Sequence, residues 1–289
     1  MFYIIIFLKI YLAFSIGIVI LYILRHYIFT WNRIFGKQRI AYHDIWDTDL
    51  PRVSVLIPMH NEEKVARYVL EALAASAYPR DRLEVIPIND HSKDKTHAIL
   101  EEYAQRYPFI KPLHRLGDEQ RGKPAGLNDA LRVASGQIII VYDADYIPPA
   151  GQLKDLAINF IDPEVGAVMG RVVPVNTEVN LLTRLLDLER CGGYQVDQQA
   201  RFNLALIPQY GGTVGAFRKN LIEELGGFDP KILAEDTELT FKFYLKGYKV
   251  VYANEAQCYE EVPESWAVRA KQIRRWSRGH NQVLFKYFL

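Results

Sequence analysis

The chain opens on a run with almost no polar positions. From Phe2 to Leu24 only Lys9 and Ser15 interrupt the apolar residues, and a helix of that length crosses a bilayer core. Arg25, Arg33, Lys37 and Arg39 follow it, which orients the remainder toward the cytoplasm under the positive-inside rule. A cleaved signal peptide is the competing reading. Against it, no basic residue precedes the run, the run is too long, and no small-x-small site follows. Residues 26–51 are aromatic and basic without a clear period and read as an interfacial connector. From Arg52 the pattern becomes short apolar runs separated by helical stretches. "VSVLIP" (Val53 to Pro58), "LEVIPIND" (Leu83 to Asp90) and "QIIIVYDAD" (Gln137 to Asp145) predict strands. Helices are predicted from just after "HNEE" to about Ala77, from Asp94 to about Tyr107, and from Pro124 to about Ala134, with Pro124 placed in a first turn. Near-continuously apolar strands alternating with helices predict an α/β fold, with a mostly parallel sheet covered on both faces.

The polar positions where these strands end carry the first functional signal. The first strand runs out into His60, Asn61 and Glu62, the second into Asn89 and Asp90, the third into Asp143 and Asp145. One aspartate after a strand is an ordinary turn former or helix cap. Three polar exits along one edge predict a ligand crevice, because open parallel sheets bind ligands at the carboxyl ends of their strands.

Composition narrows the class. A chain of 289 residues with 49% hydrophobic and 24% charged residues is globular, and a net charge of +1 gives no field to recruit nucleic acid. The two cysteines, Cys191 and Cys258, are too few for a disulfide framework and read as free thiols.

The chemistry concentrates in four places. Asp143 and Asp145 flank Ala144, and residues two apart on an extended segment face one side. Their oxygens suit magnesium or manganese, with phosphate oxygens completing the shell. No "GxxxxGK[ST]" loop is present, and no "GxGxxG" lies near this strand. Lys123, in "RGKPAGLNDAL", sits at a predicted helix N-terminus and reads either as an anion contact or as a solvated loop lysine. "AEDTELTFKFYLKGYKVVY" predicts a helix with Leu239, Phe243, Leu245 and Tyr248 on its apolar face. Glu235 and Asp236 at its start read as dipole partners or as a general base. "PESWAVRAKQIRRWSRGHNQVLFKYFL" interleaves cations with Trp266, Val268, Ile273 and Trp276. It fits a helix at a membrane interface, or a source of arginine for a diphosphate and tryptophan for a sugar.

Five stretches, "PMHNEE", "INDHSKDKT", "DAD", "AEDTEL" and "QIRRW", occur in this order between Arg52 and Gln282. Together they resemble the inverting glycosyltransferases of the GT-A fold. Within that group they resemble the membrane-embedded processive synthases of cellulose, chitin, hyaluronan and poly-N-acetylglucosamine. The resemblance implies a metal-dependent glycosyltransferase using Mn2+ or Mg2+. The donor would be a UDP-sugar, UDP-glucose or UDP-N-acetylglucosamine, with GDP-mannose open. The acceptor would be the end of a growing β-linked polysaccharide. It also implies residue roles. Glu62 would line the nucleotide pocket, Asp90 would bond the uracil, Lys123 would approach the nucleotide, and Asp143 would face the ribose or sugar. Asp145 would ligate the metal and Asp236 would be the base, with Glu235 beside it. Gln272 and Arg275 would reach the diphosphate, and Trp276 would support the acceptor sugar. The glycine-rich "YGGTVGAFRK" (Tyr210 to Lys219) would border the acceptor channel, or is an ordinary turn.

The expected organisation is a transmembrane helix over 1–25, the connector over 26–51, a GT-A domain over 52–262 and an amphipathic interface segment over 263–289. A bacterial inner membrane, with the catalytic domain cytoplasmic, is the default setting. Synthases that secrete their product need a pore of several helices; this sequence departs from that pattern with a single one, so processivity rests on the "QxxRW" match alone and a pore would need further helices or membrane subunits. Two other readings stand beside this one. One is transfer of a single sugar to a lipid phosphate; the other is a catalytically silent membrane scaffold or nucleotide-sugar sensor.

Overall fold

The structure is a computed structural model and describes residues 2–39, 50–118, 120–209, 211–212 and 214–288. The apolar run forms α1 (Phe2–Phe35), which continues past Leu24 into the expected connector; residues 40–49 of that connector lie outside the described residues. The extension has a tertiary cause. The last turns of α1 are held by polar bonds from distant residues: Arg25 to Asp197 at 2.8 Å, Arg33 to Gln195 at 3.2 Å, and Asn203 to Asn32 at 2.7 Å.

The next elements are β1 (Val53–Met59), α2 (Ala66–Ala74), β2 (Leu83–Asp90), α3 (Thr96–Arg106), β3 (Leu113–Arg115), α4 (Lys123–Val133) and β4 (Ile138–Val141). After them come α5 (Gln152–Ala157), β5 (Val165–Pro174), α6 (Leu181–Cys191), a π-helical turn over Gly192–Gln198 and α7 (Gln199–Asn203). The chain ends with β6 (Gly215–Arg218), α8 (Lys219–Glu224), α9 (Glu235–Leu245), β7 (Lys249–Glu260) and α10 (Trp266–Phe288). The strands form one sheet in the order β3-β2-β1-β4-β6-β5-β7. Of these, β6 runs antiparallel to both its neighbours and the other pairings are parallel.

Side-chain alternation explains the layers. Val55 and Ile57 of β1 pack with Leu70 of α2, Leu100 of α3 and Leu153 of α5 on one face. Leu56 packs with Leu127 of α4, Ile222 of α8 and Phe243 of α9 on the other. With both faces covered, a strand has no solvent side and its sequence reads as continuously apolar. Each such side chain contributes about 1.5–3 kcal/mol by leaving water.

Several ends differ from expectation. The first helix stops at Ala74 rather than Ala77, and the next begins at Thr96, because the Asp94 carboxylate takes the Thr96 N–H (3.0 Å) and hydroxyl (2.6 Å) before the helix starts. The third predicted strand ends at Val141, not Asp145. Asp143 and Asp145 stand in a turn, with Tyr146 N–H bonded to Asp143 O at 3.3 Å. The extended-segment spacing therefore does not apply to them. On α9 the apolar face is Leu239 and Phe243; Leu245 is 71% exposed and Tyr248 lies beyond the helix. Both cysteines are free thiols, Cys258 buried and Cys191 exposed.

Candidate active site

Because β1, β2 and β4 are parallel neighbours, their polar exits share one edge. A cavity of about 1280 Å³ opens there. Its wall takes Glu62 from beyond β1, Lys123 from the start of α4 and Asp143 and Asp145 from beyond β4. Glu235 and Asp236 reach it from the start of α9, and Gln272, Arg275 and Trp276 from α10. Of the predicted residues, Asp90 alone stands outside this wall. Its carboxylate is held by Arg115 at 2.6 Å, His91 at 2.7 Å and the Gly122 N–H at 2.8 Å. Burial alone would raise the Asp90 carboxyl, but these partners hold it below the usual range. Gly122, at φ +113°, turns the backbone so that its N–H meets Asp90 just before Lys123.

Lys123 is the cation at the centre. Its Nζ lies 2.7 Å from Asp143, 3.1 Å from the Gly212 carbonyl and 3.5 Å from Glu235. Burial would lower its pKa, but the charges of Asp143 and Glu235 outweigh it and raise it above the ordinary lysine value. Four carboxyls of the wall, those of Glu62, Asp145, Glu235 and Asp236, are pushed up. Burial raises Glu62, with Asp94 and Asp143 adding to it. Burial also raises Glu235 and Asp236, against the pull of Lys123 on both. The Asp145 carboxyl is pushed up to about 6 by burial, then by Asp143, with Glu260 and Glu62 adding.

Among the described residues no group of three His, Cys, Asp or Glu side chains makes a metal cage. The charged groups acting on Asp145 are carboxylates, those of Asp143, Glu260 and Glu62. That fits a hard divalent cation completing its shell from ligand phosphates, and it does not fit zinc. Asp145 would hold it.

The predicted α10 residues come with partners that their motif does not name. Gln272 accepts a bond from Arg269 at 2.6 Å. The Trp276 ring lies under the guanidinium groups of Arg269 (4.9 Å) and Arg190 (5.6 Å). Arg190 also donates to Glu260 at 2.6 Å, and Tyr146 donates to the other oxygen of Glu260 at 2.9 Å.

Sequence reasoning did not name Arg115, Gln209, Thr237, Glu260 or His280, and took in Gly212 only as part of the stretch Tyr210 to Lys219. For His280 a signal existed: it follows Gln272 and Trp276 at four-residue steps, on one helix face. Gly212 had a weaker one, as part of a glycine pair. At φ +83° it abuts the Asp236 carboxylate, where an added Cβ would sit 2.9 Å from Oδ2. Gly212→Ala is expected to cost about 1–2 kcal/mol from the left-handed backbone alone, plus displacement of that carboxylate, measured as a lowered unfolding midpoint.

Residues 51–279 match the family model described as "Glycosyltransferase like family 2". A Bacillus subtilis (strain 168) protein named "Probable glycosyltransferase YdaM" is 40% identical over 268 residues. The match takes in 91% of this chain and 62% of that protein, so the chain spans about three-fifths of this relative's length. A mannosyltransferase from Pyrobaculum calidifontis, PcManGT, solved with GDP-Man and Mn2+, superposes with a TM-score of 0.74 at 27% identity, over 94% of this chain and 73% of that one. S. aureus TarS, residues 1–349 with UDP-GlcNAc, gives a TM-score of 0.53 at 24% identity over 74% and 59% of the two chains, a likeness of fold. The sheet with helices on both faces is the GT-A fold, and this chain belongs to the glycosyltransferase-like family 2.

Proposed function

We propose that this chain is an inverting glycosyltransferase that moves a sugar from a UDP-sugar, UDP-glucose or UDP-N-acetylglucosamine, to the end of a growing β-linked polysaccharide. The observation that carries the reading is the convergence of Asp143, Asp145, Asp236, Lys123 and the α10 residues Gln272, Arg275 and Trp276 on one cavity. In this reading Asp236 takes the proton from an acceptor hydroxyl, which attacks the anomeric carbon from the face opposite the nucleotide. Lys123 and Arg275 supply positive charge to the departing diphosphate. Glu62 lines the nucleotide side, Asp143 orients the donor through its bond to Lys123, and Glu235 holds Lys123 from the other side. Asp90 keeps an acceptor position for the base of the nucleotide while building the loop before Lys123. Trp276 and Gln272 shape the acceptor side. A divalent cation, Mn2+ or Mg2+, would be held by Asp145 and would supply charge neutralisation at the diphosphate. In support, the PcManGT structure holds GDP-Man and Mn2+, which also makes GDP-mannose a donor to test.

The anchor belongs to this reading as well. Helix α1 is long and apolar enough to cross a membrane, and the basic residues after it favour a domain on the cytoplasmic side. A second reading, transfer of one sugar to a lipid phosphate, draws support from Tyr22, Arg25 and His26 of α1, which line the same cavity.

The test is nucleotide release by the detergent-purified chain, offered UDP-glucose, UDP-N-acetylglucosamine, UDP-glucuronate and GDP-mannose with Mn2+, Mg2+ or chelator. Metal-dependent release from one donor is expected, with labelled sugar appearing in polymer. Label in the lipid extract would favour the second reading, and donor binding without release would favour a sensor. Asp145→Asn is expected to abolish the metal-dependent part of turnover while the circular dichroism spectrum stays that of the parent. Full metal-dependent activity in that variant would remove Asp145 from the site.

A further inference from the structure

The Asp236 carboxylate is aimed by a relay that reaches across to α10. Its Oδ1 accepts the N–H of Thr237 at 2.6 Å. The Thr237 hydroxyl oxygen lies 3.0 Å from Gln209 Nε2 and 3.0 Å from His280 Nδ1. The Gln209 amide donates to the hydroxyl oxygen, and Nδ1 of the His280 ring bonds the same hydroxyl. Neighbouring contacts fasten the same junction. Gly279 packs on Ala234 so closely that an added Cβ would meet its Cβ at 2.7 Å. Gln282 accepts the Leu233 N–H at 3.0 Å, and Lys286 bonds Glu238.

We propose that His280 is a positioning residue for the transfer reaction: with Gln209 it fixes the Thr237 hydroxyl, and through Thr237 it holds the Asp236 carboxylate in its catalytic aim. This rests on Asp236 being the base. The relay joins the start of α9 to the helix that carries Gln272, Arg275 and Trp276. The base and the groups that meet the substrates therefore keep one geometry. A base misplaced by a fraction of an ångström loses rate without losing donor affinity. The charged and titratable groups facing Asp236 are Glu235 on its own helix, Lys123 from α4, Tyr194 from the π-helical turn and His280 from α10. Of these, Lys123 and His280 favour the ionised carboxylate.

The test uses the full chain in detergent with the donor that it turns over. His280→Ala is expected to lower kcat by about tenfold to a hundredfold. Donor Kd should stay within about twofold, and the acid limb of kcat/KM should move to higher pH. His280→Asn, whose side-chain amide can bond the Thr237 hydroxyl, is expected to recover most of kcat. Thr237→Val keeps the N–H and loses the hydroxyl; it should reproduce the His280→Ala loss, and the double variant should add little to either. Parent-like kcat and pH profile in His280→Ala would overturn the proposal. So would a loss confined to donor affinity, or a His280→Asn variant as slow as His280→Ala, since the imidazole itself would then be the working group. Asp236→Asn run alongside separates the two levels. If that variant keeps turnover, the base assignment fails. If it is inactive while His280→Ala is parent-like, only the positioning role fails.

Discussion

Asp236→Asn is expected to lower turnover by about 10²- to 10⁴-fold, the usual contribution of a general base, while nucleotide-sugar binding stays near that of the parent. The size follows from the surroundings. Asp236 is the carboxylate at the start of α9, with Oδ1 on the Thr237 N–H and Oδ2 against Gly212. Asparagine keeps the shape and can still accept the Thr237 N–H, so fold and donor site should persist. It cannot take a proton. The parent's pH profile should carry the same signature. An ordinary aspartate titrates near about 4; burial raises Asp236 above that, with Thr237, Lys123 and His280 only partly opposing. The ionised base is the active form. Activity should be present above the raised pKa and lost as pH falls through it, at a higher pH than for an exposed aspartate. Stopped-time nucleotide release over the acid range, parent against Asp236→Asn, checks both statements. A variant with undiminished turnover would move the base elsewhere.

Arg115→Met is expected to destabilise the chain by about 3–5 kcal/mol, the cost of removing one partner from a buried charge pair. Arg115 is 2% exposed and satisfies three partners: Asp90 at 2.6 Å, Asp129 at 2.8 Å and the Gln120 carbonyl at 2.5 Å. It thus ties the end of β2 to α4 and to the loop that delivers Lys123. Without it, Asp90 keeps His91 and the Gly122 N–H but remains a largely buried carboxylate with less compensation. The pH dependence has a definite sign. The Asp90 pKa is depressed in the folded state, so its contribution to stability is present above the unfolded value and lost as pH falls through the folded one. In the parent that loss steepens acid unfolding; in Arg115→Met it should flatten. Urea midpoints measured from neutral pH downward read both effects. A variant within about 1 kcal/mol of the parent, far below that range, would mean that the cluster is solvated rather than buried.

The distinction between local and long-range information runs through the whole molecule. β2 was legible to the residue, Leu83–Asp90, because the aliphatic residues Leu83, Val85, Ile86 and Ile88, in a run too short for a helix, leave little choice of state. β3 was not, because three residues, Leu113–Arg115, have no period of their own and form a strand only by lying along β2. Likewise β6, four residues over Gly215–Arg218, is defined by the two strands it lies between. Asp143 and Asp145 were found for a reason that the structure replaces. They reach the cavity from a turn after β4, not from the same side of an extended strand.

By itself the sequence determined the alternating α/β plan, the sheet edge at which the polar exits gather, and the charged and aromatic residues of the cavity wall from Glu62 and Lys123 through Asp143, Asp145, Glu235 and Asp236 to Gln272, Arg275 and Trp276. Burial on both sheet faces imposes a local apolar pattern, and the chemistry-bearing motifs are short. Only the tertiary structure decided how those residues work on each other. It set Lys123 between Asp143 and Glu235, laid Arg190 over Trp276, and assembled Gln209, Thr237 and His280 behind Asp236. These contacts join residues from 20 to 112 positions apart. Their geometry depends on an antiparallel β6 seated between β4 and β5 and on the return of α10 across α9, and periodicity along the chain carries no information about either.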